Sequence, residues 1–314
     1  MNKELVSIII PYFNHKSYIE ELLISIEQQT YKNIETILIN DGSTDGSLNF
    51  LQKLKSKYSF KLLSTKNKGV CAAINQGLKL SKGKYITLIA SDDVLVKSRI
   101  KEQVVILSNQ PYDAVGGGMT LMTKDSAKLH YARPRKIGKL KFDDILLYNS
   151  AYAPTLMYKA YAFDVYGQYV ESNPIEDYPM LLNMISKGAH IVNVDKNWAY
   201  YRIDDINYIY KAKWYLDGIL STLKNYEGFP TLINKARNHH IYLYLIKLAI
   251  FNGSADSSQF RQILQNNEFI ITRLIKLLFL YILATLPRQV RQLIQKKIIY
   301  KSGIMKTLSN FLRI

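Results

Sequence analysis

The chain has 314 residues, 48% of them hydrophobic, which is enough to bury a sizeable core and fits one large domain or two smaller ones. Its single cysteine, Cys71, excludes a disulfide framework and a cysteine-based zinc site, and it indicates a reducing compartment. The formal net charge of +17 indicates a polyanionic partner, which can be nucleic acid, anionic lipid or a phosphorylated substrate.

The first hundred residues alternate between short β-rich runs and amphipathic helical stretches. The predicted order is strand 5–10, helix 18–30, strand 34–40, helix 47–58, strand 60–65, helix 71–81 and strand 85–90. Strands that alternate with helices of this length are typical of βαβ units. We therefore predict an α/β fold with a doubly wound parallel sheet.

A polar or glycine-rich loop follows each of these four strands. The loops read PYFN (11–14), NDGSTDGS (40–47), KNKG (66–69) and SDD (91–93). In a doubly wound sheet the carboxyl ends of parallel strands meet at one edge, where ligands bind. The pattern therefore predicts a binding site on this edge. The turns contain neither GxGxxG nor a P-loop, which weighs against a dinucleotide site or a Walker-type site.

Asp92 and Asp93, at the end of the fourth strand, allow two interpretations. Adjacent carboxylates suit a hard divalent cation such as Mg²⁺ or Mn²⁺, which prefers one or two carboxylates together with substrate phosphates. Alternatively, SDD before VLVKSRIKEQVVIL (94–107) is good N-cap chemistry for a helix. The spacing alone leaves both interpretations open.

Residues 111–205 are less regular. They include a glycine-rich stretch, VGGGMT (115–120), that fits either the wall of an acceptor cleft or a tight turn between strands. The segment EDYPMLLNMISKG (176–188) predicts a helix with acids in its first turn and a glycine just past its end. Glu176 and Asp177 can therefore complement the helix dipole or act as a catalytic pair.

Five motifs occur in an order and spacing that point to one enzyme family. They read VSIIIPYFN (6–14), LINDGSTDGS (38–47), NKGVCAAINQGL (67–78), GKYITLIASDD (83–93) and EDYPM (176–180). The chain resembles the family 2 glycosyltransferases, inverting enzymes with the GT-A fold that transfer a sugar from a nucleotide-sugar donor. The resemblance covers residues 5–205 and implies a Rossmann-like, doubly wound mixed sheet.

The resemblance implies a donor site built from the loops on the sheet edge. Pro11 and Phe13 would line the base pocket, with the ring of Phe13 near the face of the base. Asp41 would accept a hydrogen bond from the base. Asn67 and Gly69 stand where the family's next loop approaches the donor.

The resemblance also implies the groups around the reacting bond. Asp93 matches the metal-coordinating end of the family's DxD-like motif, and Asp92 matches the position nearer the ribose and the metal waters. Asp177 matches the catalytic base, which deprotonates the acceptor hydroxyl opposite the leaving diphosphate. Arg202, in YYRI (200–203), matches a basic residue that would help to hold the diphosphate.

Two positions depart from the family pattern. Asn40 precedes Asp41 where the family often has Asp-Asp, and Ala90 stands where an additional aspartate often opens the metal motif. The second departure leaves open how the metal contacts are divided between Asp92 and Asp93.

The last stretch, 269–314, carries nine Lys or Arg and no Asp or Glu in a largely apolar pattern. Arg273 and Lys276 interrupt its most apolar part, so amphipathic helices on an anionic inner leaflet fit better than a membrane span. An ordinary helical subdomain with a solvated basic face is the alternative. We therefore predict a catalytic domain, 1–205, and a helical, basic, membrane-associating region, 206–314.

Together these observations predict a metal-dependent inverting glycosyltransferase, a hexosyltransferase, at the cytoplasmic face of the cell membrane. The expected donor is a UDP-sugar, and the expected cofactor is Mn²⁺ or Mg²⁺. The expected acceptor is a lipid-linked saccharide in the synthesis of a bacterial surface polysaccharide, either O-antigen or capsule. The opening residues show no secretory signal, which agrees with a cytoplasmic location.

Two other classes of protein are alternatives. One is a non-catalytic protein that binds nucleic acid or an anionic membrane through its basic surface. The chain has no recognised nucleic-acid module, so nucleic acid is disfavoured as a partner. The other is a nucleotide-sugar pyrophosphorylase, which should carry a glycine-rich phosphate loop after the first strand, where this chain has PYFN (11–14).

Overall fold

The structure of the protein is a computed structural model that describes residues 4–203, 208–252, 286–287 and 289–290. The chain divides into two compact units, and each is described on its own. The units are Met1–Ile203 and Asp204–Ile314.

The first half of the first unit alternates strands and helices as the sequence predicts. The elements are β1 (Val6–Tyr12), α1 (Ile19–Glu27), β2 (Ile34–Asp41), α2 (Ser47–Leu54), β3 (Lys61–Thr65), α3 (Val70–Leu80) and β4 (Tyr85–Leu88). Strand β1 lies between β2 and β4 and pairs parallel with both, and β3 pairs parallel with β2. The predicted parallel half of the sheet is therefore confirmed.

Strand β1 is an almost continuous apolar run because both of its faces are covered. On one face, Ile8 and Ile10 belong to the same buried cluster as Leu22 of α1. On the other face, Ile9 lies against Gly77 of α3, where an added Cβ would come within 2.3 Å of Ile9 Cγ2. The absence of a side chain at Gly77 therefore lets α3 pack closely against the sheet.

The second half of the unit is irregular. Its elements are β5 (Val94–Leu95), α4 (Arg99–Asn109), β6 (Ala114–Met122), β7 (Lys128–Ala132), β8 (Gly138–Lys139), α5 (Phe142–Tyr148), β9 (Met157–Lys159), α6 (Tyr161–Val165), α7 (Asp177–Ser186) and β10 (Ile191–Arg202). The strand order is β3-β2-β1-β4-β9-β6-β10-β5, with β7 on β6 and β8 on β10. Strand β9 runs antiparallel to β4 and β6, whereas β6 and β10 are parallel. The sheet is therefore mixed, as the GT-A resemblance implies.

The glycine-rich stretch 115–120 lies inside β6. An added Cβ at Gly116 would lie 2.6 Å from Asn193 Oδ1, and one at Gly117 would lie 2.7 Å from Trp198 Cε3. Neighbouring groups approach this strand so closely that a side chain would overlap with them. The predicted alternative of a tight turn between strands is therefore wrong.

The second unit is helical over the residues that are described. It contains α8 (Tyr208–Leu223) and α9 (Pro230–Asn252), which pack against each other. Across the described part of the chain, no helix combines the length and the apolar character that crossing a membrane requires. The predicted membrane-associating stretch 269–314 lies outside the described residues, apart from 286–287 and 289–290.

Candidate active site

The carboxylate of Asp41 ties together the loops that follow β2 and β3. Its two oxygens accept hydrogen bonds from the backbone N–H groups of Lys68 and Gly69, each at 2.9 Å. Beside it, Gly42 has a φ of +72°, and a Cβ there would lie 2.6 Å from the Asn67 nitrogen. Asp41 is buried, so these bonds hold the two loops together at the carboxyl edge of the sheet. We call this pair of loops the loop wall.

The residues predicted to contact the donor base lie on the same edge. Pro11 is the penultimate residue of β1, and Phe13 follows the strand directly with 44% of its surface exposed. Asn67 and Gly69 are exposed in the loop wall. An accessible aromatic ring beside such loops offers a surface on which a base can stack. The individual contacts with a base stay predictions.

Asp92 and Asp93 are neighbours in sequence but lie in different surroundings. Asp92 is partly exposed, and its Oδ1 lies 3.7 Å from Nδ1 of His15. Asp93 is buried, its Oδ1 accepts the backbone N–H of Arg202 at 2.9 Å, and its Oδ2 has no hydrogen-bond partner among the described residues. Burial and the charge of Asp92 hold the pKa of Asp93 well above its usual value.

The alternative that these aspartates cap a helix is wrong. Strand β5 follows them directly, and α4 begins only at Arg99, with Ser98 as its N-cap residue. The Asp93 side chain accepts a backbone hydrogen bond from β10, instead of one from the first turn of a helix.

The guanidinium of Arg202 is enclosed. Its side chain is 2% exposed and lies 4.4 Å from the ring centroid of Tyr18. It donates hydrogen bonds to one carboxylate, one hydroxyl and three backbone carbonyls: Glu21 Oε2 (2.6 Å), Ser126 Oγ (3.0 Å), Asp92 O (2.7 Å), Thr123 O (3.1 Å) and Lys124 O (2.7 Å). Protein groups thus engage the guanidinium, and the predicted contact between Arg202 and a diphosphate stays a prediction. Through its bonds to Asp93 and to the Asp92 carbonyl, Arg202 holds the segment that carries both aspartates.

The residues at this edge fit a divalent cation with oxygen ligands. Asp92 offers an accessible carboxylate, and Asp93 contributes a buried oxygen that lacks a partner. Within the described ranges, no cluster of three or more His, Cys, Asp or Glu could hold a metal ion by itself. Mg²⁺ and Mn²⁺ tolerate such a small protein donor set, because water and substrate phosphates complete their coordination.

A second adjacent carboxylate pair opens helix α7. Glu176 is its N-cap residue and Asp177 its first helical residue. The Asn149 side-chain amide donates to Asp177 Oδ2 at 2.7 Å, and the Tyr178 backbone N–H donates to Oδ1 at 2.7 Å. In the part of the chain that is described, neither carboxylate forms an ion pair with Lys or Arg.

The surroundings of this second pair favour its protonated forms. Burial raises the pKa of Asp177, although the hydrogen bond from Asn149 works in the opposite direction. Burial, together with the charge of Asp177, raises the pKa of Glu176 to about 7. A carboxylate with a raised pKa near neutrality is suited to take up a proton as a general base.

Tyr201 lies on β10 next to Arg202 and is 36% exposed. Desolvation raises the pKa of its hydroxyl, and the charges of Asp93, Asp92, Glu176 and Asp177 raise it further. The surroundings of this hydroxyl are therefore acidic.

Helix α3 connects the loop wall with the segment that leads to Asp177. The Asn75 side chain donates to the Tyr169 carbonyl at 2.9 Å and accepts the Tyr169 N–H at 3.1 Å. One turn earlier on the helix, Cys71 Sγ donates to the Asn173 carbonyl at 3.5 Å. Cys71 and Asn75, which are four residues apart on α3, therefore hold the segment that leads into α7.

Several side chains that shape this site were not predicted from the sequence motifs, among them His15, Asn75, Asn149 and Tyr201. The spacing of Cys71 and Asn75 within NKGVCAAINQGL is a local signal that the two share a helix face. No local signal identifies Asn149, because its partner Asp177 is 28 residues away along the chain.

A doubly wound mixed sheet with acidic groups at its carboxyl edge defines a GT-A glycosyltransferase fold. Residues 7–169 match the family model described as Glycosyl transferase family 2. The chain therefore belongs to glycosyl transferase family 2, and the resemblance carried by the five motifs is confirmed.

Curated bacterial glycosyltransferases are similar to this chain. It is 30% identical over 201 residues to the UDP-Glc:alpha-D-GlcNAc-diphosphoundecaprenol beta-1,3-glucosyltransferase WfaP of Escherichia coli, a match that covers 64% of this chain and 78% of that protein. It is 36% identical over 135 residues to an uncharacterized glycosyltransferase of Rickettsia bellii (strain RML369-C). The latter match covers 42% of this chain and only 20% of the length of the Rickettsia protein.

Solved glycosyltransferase structures share the fold. The mannosyltransferase PcManGT from Pyrobaculum calidifontis, in complex with GDP-Man and Mn²⁺, superposes with a TM-score of 0.64 at 14% identity, covering 98% of this chain and 87% of that one. S. aureus TarS 1–349, in complex with UDP-GlcNAc, superposes with a TM-score of 0.59 at 16% identity, covering 93% of this chain and 92% of that one.

Proposed function

We propose that this protein is an inverting glycosyltransferase that moves a sugar from a nucleoside-diphosphate donor, with UDP as the expected nucleotide, to a lipid-linked saccharide in bacterial surface polysaccharide synthesis. The observation that carries the proposal is that Asp93 keeps a buried oxygen without a partner at the sheet edge, while a hydrogen bond from Asn149 holds the Asp177 carboxylate at the start of α7. One pair lies at the sheet edge where such folds bind nucleotides, and the other has the raised pKa of a proton acceptor.

The donor nucleotide would bind between the end of β1 and the loop wall. Phe13 offers an exposed ring for the base, with Pro11 beside it. Each carboxylate oxygen of Asp41 accepts one hydrogen bond from the loop wall, and its remaining lone pair can accept a hydrogen bond from the base. Asn67 and Gly69 supply exposed backbone close to this position. The TarS structure with UDP-GlcNAc supports a UDP-sugar as donor.

Mn²⁺ or Mg²⁺ would be held by the accessible carboxylate of Asp92 and by Oδ2 of Asp93. When bound, the cation supplies charge neutralisation on the donor diphosphate. Arg202 keeps both ligands in place, because its backbone N–H donates to Asp93 Oδ1 and its Nε donates to the Asp92 carbonyl. The PcManGT structure contains Mn²⁺, which supports a divalent cation as the cofactor.

Asp177 would be the base of the reaction. The acceptor oxygen forms a bond to the anomeric carbon on the face opposite the diphosphate. The bond between that carbon and the diphosphate oxygen breaks, and its electron pair leaves with the nucleoside diphosphate. Asp177 accepts the hydroxyl proton, and the anomeric configuration inverts. Asn149 orients the carboxylate through its bond to Oδ2.

The lipid-linked acceptor is supported by the name of WfaP, which states a diphosphoundecaprenol acceptor. It also agrees with the basic, apolar stretch 269–314, which would attach the enzyme to the cytoplasmic face of the membrane. In this proposal residues 1–205 form the catalytic domain, and residues 206–314 form the membrane-associating region.

Calorimetric titration of the full chain with UDP, with and without Mn²⁺, tests the donor and metal assignments. We expect micromolar binding that depends on Mn²⁺ and is lost in Asp92→Asn and Asp93→Asn. Asp164→Asn, which changes an exposed aspartate on α6, is the matched control and should bind like the wild type.

Each other outcome of this titration has a defined meaning. Equal binding with and without Mn²⁺ would contradict the metal assignment. If neither UDP nor GDP binds, the glycosyl-transfer proposal fails. If the chain instead binds arbitrary DNA in a salt-sensitive manner, the alternative of a non-catalytic protein that binds through its basic surface is favoured.

A further inference from the structure

A segment of the first unit carries six cations and no acid. They are Lys128, Arg133, Arg135, Lys136, Lys139 and Lys141, and all six are exposed. We call residues 128–141 the basic segment. Arg133 forms an ion pair with Asp195 at 2.8 Å, and none of the four lysines has an ion-pair partner among the described residues. The charge of these lysines therefore faces solvent without a carboxylate partner.

The basic segment lies next to the residue that orients the proposed base. The guanidinium carbon of Arg135 is 3.7 Å from the centroid of the Tyr148 ring. Tyr148 directly precedes Asn149, whose amide donates to Asp177 Oδ2. The exposed guanidinium of Arg135 therefore contacts the residue next to Asn149, and Asn149 donates a hydrogen bond to Asp177.

Two further contacts fix the basic segment at this place. Buried Asn193 donates from its amide to the carbonyls of Lys136, at 3.1 Å, and Ser150, at 2.7 Å. The Tyr152 hydroxyl donates to the Arg133 carbonyl at 3.3 Å. The backbone of the basic segment is therefore bonded to the stretch that includes Asn149.

These contacts put the charge on the acceptor side of the reaction. A general base must touch the acceptor hydroxyl, so groups beside Asp177 line the path of the acceptor. A neutral sugar gains little from exposed cations, whereas a phosphate forms charge-assisted hydrogen bonds with Lys and Arg. In an acceptor with one sugar linked through a diphosphate, such as the one named for WfaP, the phosphates are one sugar ring away from the attacking hydroxyl.

We propose that the basic segment binds the diphosphate of a lipid-linked acceptor. This inference rests on the proposed function, because it takes Asp177 as the base. Lys136 and Lys139, which are exposed and have no ion-pair partner among the described residues, supply the charge that a phosphate requires. The contact between Arg135 and Tyr148 places this stretch beside the base.

Calorimetric titration of the full chain with farnesyl diphosphate tests the proposal. EDTA is present, so that no metal supports a diphosphate in the donor site. The wild type should bind farnesyl diphosphate, more weakly at higher salt, and should bind farnesol far less. The double variant Lys136→Ala, Lys139→Ala should bind roughly fivefold to tenfold more weakly. The control Lys55→Ala, Lys101→Ala removes two exposed lysines elsewhere and should bind like the wild type.

Three results would overturn the proposal. In the first, farnesol binds as tightly as farnesyl diphosphate. In the second, the double variant keeps the wild-type affinity. In the third, the double variant loses binding to phosphatidylglycerol vesicles but not to farnesyl diphosphate, which would assign the basic segment to the membrane surface and not to the acceptor.

A UDP titration with Mn²⁺ separates this inference from the proposed function. The double variant should bind UDP like the wild type, since neither lysine belongs to the donor site. A wild type that fails to bind UDP contradicts the proposed function, whereas normal UDP binding with an unchanged farnesyl diphosphate affinity in the double variant contradicts this inference alone.

Discussion

The site contains two adjacent carboxylate pairs that look alike in sequence and differ in their surroundings. The Asp92–Asp93 pair sits against the Arg202 backbone and His15, and Asp93 has a buried oxygen without a partner. The Glu176–Asp177 pair has no cationic partner among the described residues, and an amide from Asn149 orients it.

The neighbours of a carboxylate pair therefore decide whether the pair suits cation binding or proton transfer. A pair held by backbone and enclosed groups, with one accessible oxygen, suits a cation that remains in place during the reaction. A pair without a cation keeps a high affinity for protons and suits proton transfer. Variants of the two pairs and of the residues around them separate these roles.

The largest effect should come from Asp177→Asn, which removes the proposed base. We expect kcat to fall by about 100-fold to 10,000-fold, because no group remains to take the acceptor proton. A transfer assay measures the loss, and UDP affinity should stay at the wild-type value. If the variant keeps full activity, the two pairs do not divide the roles as proposed.

Arg202→Met should mainly destabilise the fold. The variant leaves the carbonyls of Asp92, Thr123 and Lys124 without their shared donor, which costs about 3 kcal/mol of unfolding free energy. Thermal and urea unfolding measure this cost.

Glu21→Gln is the matched control for Arg202→Met. Glu21 is 42% exposed, so weakening its ion pair with Arg202 should cost less than about 1 kcal/mol. An Arg202 variant as stable as this control, but with weaker UDP binding, would support the predicted role of Arg202 as a diphosphate ligand.

Asn149→Gly should lower kcat/KM by roughly tenfold. Glycine tolerates the φ of +40° at this position, so the variant deletes the amide without backbone strain. The lost hydrogen bond stabilised the ionised form of Asp177, so the pKa of Asp177 should rise and the acid limb of the pH–rate profile should move to higher pH. An unchanged limb would show that Asn149 does not act through Asp177.

Glu176→Gln should give the smallest change. The charge of Asp177 raises the pKa of Glu176, so Asp177 ionises first and Glu176 is still protonated and neutral when Asp177 titrates. A neutral glutamine should therefore leave the acid limb nearly in place. A limb that moves by more than about one unit would contradict this order of ionisation.

The same variant should also change the pH dependence of stability. Burial raises the pKa of Glu176 from 4.5 to about 7, so the folded protein binds more protons than the unfolded chain in this window. Wild-type stability should therefore fall as pH rises from 4.5 to 7, and this fall should be smaller in Glu176→Gln. Melting temperatures across this pH range measure the difference.

The regular half of the fold and much of the donor edge could be read from local patterns. Apolar periodicity and turn residues identified the four strands and three helices between Val6 and Leu88. Those patterns worked because the burial of each strand and helix leaves its apolar periodicity in consecutive residues. The loop wall also follows from them, since the carboxyl ends of parallel strands must share one edge.

The α/β alternation, the family and the positions of both carboxylate pairs could therefore be read from the chain. The enclosure of Arg202 and the position of the basic segment beside Asn149 became visible only in the folded structure. Distance along the chain explains this difference. Glu21 and Arg202 are 181 residues apart, and Asn193 is 57 residues from Lys136. These contacts depend on how the irregular strands pack, and that packing cannot be predicted from the periodicity of a short segment.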